Sequence, residues 1–187
     1  MDGDGDIDIL GKPYNWDTPR LDIWLNNPRT QTLDNWQRHV IDSAKSWQTI
    51  FISSSDIDND NKKDIVTGGW WYKNPGSNSG VWERRNIGTN LNNIATLHDF
   101  DSDGDIDILG TQGTGANANA NFVWAENNAA GTFTIRNNIQ AGDGDFLQGV
   151  EVAKFSPSDA NKRVALSWHA DNKGIQTLTV PSSPATQ

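Results

Sequence analysis

An acidic motif that returns along the chain most constrains how this sequence folds. Asp99-Phe-Asp-Ser-Asp-Gly-Asp-Ile-Asp107-Ile-Leu has a full-length relative in Asp56-Ile-Asp-Asn-Asp-Asn-Lys-Lys-Asp64-Ile-Val. A third copy, Asp2-Gly-Asp-Gly-Asp-Ile-Asp8-Ile-Leu, lacks only the first position of the pattern. The shared form is D-x-D-x-D-x-x-x-D followed by two aliphatic residues, with the last Asp at positions 8, 64 and 107. Like charges this dense oppose folding unless something offsets them. The aliphatic pair predicts that a strand starts where each loop ends. Self-similarity at such a period is the mark of a supersecondary unit used repeatedly.

Other features recur in step with the loop. A W-x-x-N motif follows each copy, as Trp24 to Asn27, Trp71 to Asn74 and Trp124 to Asn127. After it comes an aromatic or alternating run: NWQRHVI at 35–41, VWERRNI at 81–87 and FTIRNNI at 133–139. The runs QTIFISS and IATLHDF precede the two complete loops. Each unit therefore reads as four short strands with the acidic loop between the first and the second. A degenerate unit follows, with VEVAKFS, RVALSWH and GIQTLTVP as its first three strands and SPSDANK where the acidic ladder stood.

Four-stranded units at this period predict an all-β chain, a β-propeller of antiparallel blades. About 3.5 blades are expected, at roughly 1–41, 42–87, 88–139 and 140–180, with 181–187 as a linker or truncated tail. A β-sandwich would not need the repeat, and calcium-binding β-helix repeats are much shorter. A blade cannot bury both faces alone, so neighbours supply the core between them. An open arc of blades leaves faces uncovered. A second copy closing the ring, or the remainder of a longer propeller, is the expected partner.

The composition narrows the function. The formal charge is −9, and no basic stripe is available to follow phosphates, which argues against a nucleic-acid partner. With no cysteine, disulfides and thiolate metal sites are excluded. No apolar run reaches the length of a membrane span. Thirteen of the 24 acidic residues lie in the three loops. Much of the net charge is thus expected to be ligand charge rather than a docking surface.

The loop D-x-D-x-D-G-x-x-D-[IL] with its W-x-x-N sequel resembles the VCBS/FG-GAP repeat family. That family includes integrin-α-like propellers, bacterial lectins and polysaccharide-lyase propellers. The resemblance covers nearly the whole chain and is strongest at 99–107. Asn61 replaces the glycine in the second copy, and it too tolerates a left-handed backbone. Residues 156–162 depart from the pattern, so no site is expected there. The resemblance implies structural calcium and an extracellular, periplasmic or cell-surface location.

The residues themselves support an oxygen-ligated hard cation, because calcium takes six to eight oxygens in flexible geometry. Two to three calcium sites are expected. Asp99, Asp101, Asp103 and Asp107 would give side-chain oxygens, and Asp105 its backbone carbonyl. The corresponding sets are Asp56, Asp58, Asp60, Lys62 (by its carbonyl) and Asp64, and Asp2, Asp4, Asp6 and Asp8. Glycine at 110 stands where an EF-hand needs its bidentate glutamate, so these are not EF-hands.

Calcium loops mark one face of a propeller, which makes the opposite face the expected binding face. Tyr14, Trp16 and Arg20 fall in one of its predicted loops, Trp70 in another, and Trp168 with His169 in a third. Of the nine tryptophans, Trp16, Trp70 and Trp168 break the repeat. Exposed rings beside polar groups suit sugar faces, so carbohydrate binding or adhesion is the leading expectation. A fragment of a lyase-like, polysaccharide-degrading enzyme is the alternative, with Tyr14, Arg20 or His169 for proton transfer. Asp143 and Asp145 read equally as a carboxylate pair or as part of a polar turn, while His39 and His98 read as ordinary or packing residues.

Overall fold

The computed structural model describes residues 7–11, 20–25, 37–47, 49–77, 79–114, 117 and 119–186. Asp2, Asp4, Asp6, Tyr14 and Trp16 lie outside the described residues.

The chain is all-β, built as four antiparallel meanders in sequence order. The first sheet holds β1 (Ile9–Gly11), β2 (Leu21–Leu25) and β3 (Gln37–Asp42). The second holds β4 (Ile52–Ser55), β5 (Asp64–Thr67), β6 (Trp70–Lys73) and β7 (Glu83–Asn86). The third holds β8 (Asn93–His98), β9 (Asp107–Thr111), β10 (Phe122–Asn127) and β11 (Phe133–Arg136). The fourth holds β12 (Leu147–Ala153), β13 (Arg163–Trp168) and β14 (Ile175–Thr179), and a 3-10 turn at Pro184–Thr186 follows. Among the described residues, the strand counts of three, four, four and three match the repeat pattern. Among the described residues, no helix is long and apolar enough to cross a membrane.

The sheets meet face to face, and period-two alternation sorts the side chains between them. On β5 and β6, Ile65, Trp70 and Tyr72 join Leu21 and Ile23 in a core shared with the first sheet. Their neighbours Val66 and Trp71 point the other way and pack with Ile94, Ile108, Val123 and Ala125 of the third. The third sheet repeats the device: Leu109, Phe122 and Trp124 face Val164, Leu166 and Trp168 of the fourth. Central strands buried on both faces read as continuous apolar runs, and β5 and β9 are buried along their whole lengths. Strand β13, by contrast, alternates, with Val164, Leu166 and Trp168 buried on one face only.

First strands of successive sheets lie side by side, β8 packing against β4 and β12. The 56–64 and 99–107 loops therefore emerge at one edge of the stack. The described second-to-third loops of the second and fourth sheets meet sheet-to-sheet connections at the other. There the amides of Ile87 and Ile94 donate to Gly69 and Gly68 at 3.0 Å, and that of His169 donates to Phe146 at 2.8 Å.

Candidate metal centre

The two complete acidic loops are the same object built twice. The first carboxylate of each closes the loop on itself. Asp56 accepts from the amides of Asp60 and Asn61 at 3.1 and 2.8 Å. Asp99 accepts from those of Ser102 and Gly104 at 2.7 and 3.2 Å. Left-handed residues allow that closure: Asn59 and Asn61 in one loop, with φ of 58° and 66°, and Ser102 and Gly104 in the other, with φ of 69° and 99°. The expected substitution of Asn61 for glycine is thus met by the backbone.

The last carboxylate of each loop is a buried brace. Asp64 accepts from the amides of Ile57 and Asn74 at 3.0 and 2.8 Å. Asp107 accepts from those of Phe100 and Asn127 at 3.0 and 2.8 Å. Both side chains are fully buried. Burial pushes the Asp107 carboxyl up to about 7 despite its two amide donors, and raises that of Asp64. The asparagine of W-x-x-N completes the brace. Asn74 donates through Nδ2 to the Lys63 carbonyl, and Asn127 to those of Ile106 and Ile57. Asn127 therefore bridges the second and third sheets. Asn59 adds a second bridge, donating to Asp105 Oδ1 at 2.8 Å.

The loops gather acidic oxygens into two clusters. In one, Asp56, Asp58 and Asp60 each bring a carboxylate oxygen within 4.8 Å of the others; in the other, Asp99, Asp101 and Asp107 do so. Either can hold a metal ion, and an all-carboxylate donor set suits a hard cation. Asp58 Oδ1 is enclosed without a hydrogen-bond donor, as a vacant ligand atom would be. Burial, and after it the neighbouring Asp103, raises the Asp101 carboxyl.

The remaining expected ligands stand beside these clusters. Asp103 Oδ1 accepts from the Asp105 amide at 2.9 Å, and Asp60 Oδ1 from the Lys62 amide at 3.0 Å. The Lys62 ammonium also reaches Asp60 Oδ2, at 2.8 Å. Of the acidic residues of the 2–8 loop only Asp8 is described, half-buried just before β1.

The expected ligand-binding aromatics behave differently. Trp70 is buried, packed at 4.2 Å against Trp47 with the rings tilted by 41°, and the Arg84 guanidinium lies 5.4 Å above its ring. Trp168 is buried against Phe122, at 6.2 Å. Neither ring faces solvent, which departs from the sequence expectation. The reason for Trp168 lies in the 140–149 connection: a Cβ at Gly142 or Gly144 would fall 2.1 or 2.2 Å from its indole. Those two glycines let the connection lie flat over the ring.

Arg20 pairs with the fully buried Asp22 at 2.9 Å and braces β2. His169 is exposed, its Nδ1 2.9 Å from Asp145 Oδ2, and the Ala170 amide holds the other Asp145 oxygen. Hydrogen bonding to His169 keeps the Asp145 carboxyl below its usual range. Asp143 pairs instead with Lys173, at 3.3 Å. His98 packs edge-on against Phe100 and meets the Lys162 ammonium through Nε2 at 2.7 Å.

Several residues that shape this edge were not anticipated. The recurrence of Asn74 and Asn127 pointed to them, although it did not say what they bond. Lys73, Asp159 and Arg163 left no such trace.

No protein-family model, curated protein or solved structure matches the chain. The reading of the site rests on its own geometry.

Proposed function

We propose that the chain is a calcium-stapled β-propeller segment whose ions are structural, and that it presents its opposite edge for carbohydrate binding or adhesion outside the cell. The observation that carries this reading is the duplicated brace: two acidic loops at one edge of adjacent sheets, each with its last carboxylate buried on two backbone amides, joined through Asn127 and Asn59. Asp99, Asp101 and Asp107 would hold one ion, and Asp56, Asp58 and Asp60 another. Such an ion supplies positive charge that offsets carboxylate repulsion and fixes the loop between two strands. It takes no part in a reaction.

The recognition half rests on the edge opposite the acidic loops, where function tends to sit on a rigid scaffold. Since Trp70 and Trp168 serve the core, exposed polar groups such as His169 carry that role. Binding to arrayed uronate-containing polysaccharides, retained on prolonged incubation without product and weakened by His169→Ala, is the expected result. Absence of binding across the array would sink this half of the proposal.

A lyase-like activity is the second reading, favoured by one observation. Asp145 orients the His169 imidazole through Nδ1, which leaves Nε2 free to act as a base at the surface. Unsaturated uronate products lost in His169→Ala would select this reading over the first.

A further inference from the structure

We infer that Lys73 is a tethered cation that fills the charge slot of the 56–64 loop, so that a divalent ion must displace it there, whereas the 99–107 loop depends on a free ion. This inference rests on the reading of the acidic loops as cation sites.

The same slot is solved in three ways along the chain. In the 56–64 loop the Lys73 ammonium bonds to Asp58 Oδ2 and, at 2.8 Å, to Asp60 Oδ2. Asp58 is a member of the acidic cluster and is nearly enclosed, with 11% of its side chain exposed. Lys73 is the residue before the W-x-x-N asparagine. The third sheet has Glu126 at that position, so its loop gains a further carboxylate where the second gains an ammonium. Glu126 is held aside by Arg136 Nε at 2.6 Å. Among the described residues, no Lys or Arg is within ion-pair distance of Asp99, Asp101, Asp103, Asp105 or Asp107.

The degenerate fourth loop carries the substitution furthest. Asp64 and Asp107 open the second strands of their sheets, paired with Ser55 and His98 at the ends of the first strands. Arg163 occupies that register position in the fourth sheet, paired with Ala153. A buried carboxylate has become a guanidinium. The loop closes on one acid, Asp159, which accepts from the amides of Phe155 and Ser156 and from Arg163 at 3.0 Å. One carboxylate and one tethered cation thus do what several carboxylates and an ion would do. The second loop stands between the two solutions, with its acidic ladder intact and its lysine already in place.

Calorimetric titration of calcium chloride into the chelator-treated full chain tests this. Wild type should show a binding event that Asp101→Asn removes. Lys73→Met should add a further event, or tighten a weak one by about tenfold, and adding Asp58→Asn to that variant should abolish the gain. Lys73→Gln repeats the test with a polar side chain, and near-UV circular dichroism of the tryptophans reports that each variant is folded. An unchanged titration in a folded Lys73 variant, beside clear wild-type binding, overturns the role of Lys73 and leaves the cation reading standing. No saturable binding in wild type or in the Lys73 variants overturns both.

Discussion

The backbone amide of Asn127 donates to Asp107 Oδ1 at 2.8 Å, across 20 residues of chain. The bond ties the end of an acidic loop to the end of the W-x-x-N strand, and the Asn127 side chain carries the tie into the next sheet at Ile57. Asp64 and Asn74 repeat the first part of the arrangement. The brace is made by protein groups alone, and it positions the half-buried carboxylates that an ion would then neutralise.

Truncation of Asn127 tests the brace without touching an acidic residue. Asn127→Ala keeps the backbone bond to Asp107 but leaves the Ile57 and Ile106 carbonyls short of a donor in a buried place. A loss of about 1–3 kcal/mol in urea unfolding is expected. Asn74→Ala frees the Lys63 carbonyl and removes the acceptor of the Gly76 amide, so a loss of similar size is expected.

Asp107→Ala removes the acceptor of two amides and should destabilise the chain by at least about 2 kcal/mol, even in chelator. An exposed carboxylate such as Asp103 gives the contrast. Asp103→Ala should leave stability in chelator within about 0.5 kcal/mol of wild type. Equal losses in the two variants would mean that Asp107 is no brace.

Trp71 measures the core between the second and third sheets. Its indole is fully buried, lies 5.0 Å below the Arg85 guanidinium and packs on Gly131. Trp71→Ala should cost about 3–5 kcal/mol, a large share of the stability of a chain this size. Gly131→Ala attacks the same contact from outside. Its φ is +66° and a Cβ would sit 2.5 Å from the ring, so a lowered melting temperature is expected.

Much of the fold was legible because repetition amplifies weak local signals. A single run such as FTIRNNI is an ambiguous strand, but three runs in register with an acidic loop and W-x-x-N define a four-stranded sheet. The clustering of Asp56 with Asp58 and Asp60 followed from the spacing of carboxylates on a tight loop.

What escaped the sequence was decided by contacts between distant positions. Trp168 breaks the repeat, which suggested a ligand-facing ring; two glycines in a separate connection instead provide room to bury it. Lys73 reaches Asp58 across 15 residues, at a position held by glutamate in the next unit, so no periodicity announced it. The fully buried brace of Asp64 and Asp107 was also hidden, since within D-x-D-x-D-x-x-x-D every aspartate looks alike.

The account turns on whether the acidic edge takes up calcium. Crystals grown with calcium chloride, measured at a wavelength where calcium scatters anomalously, address this directly. An anomalous peak is expected among Asp99, Asp101 and Asp107, with oxygen distances of about 2.3–2.6 Å. A well-ordered 99–107 loop with no such peak, at a calcium concentration in the millimolar range, would contradict it.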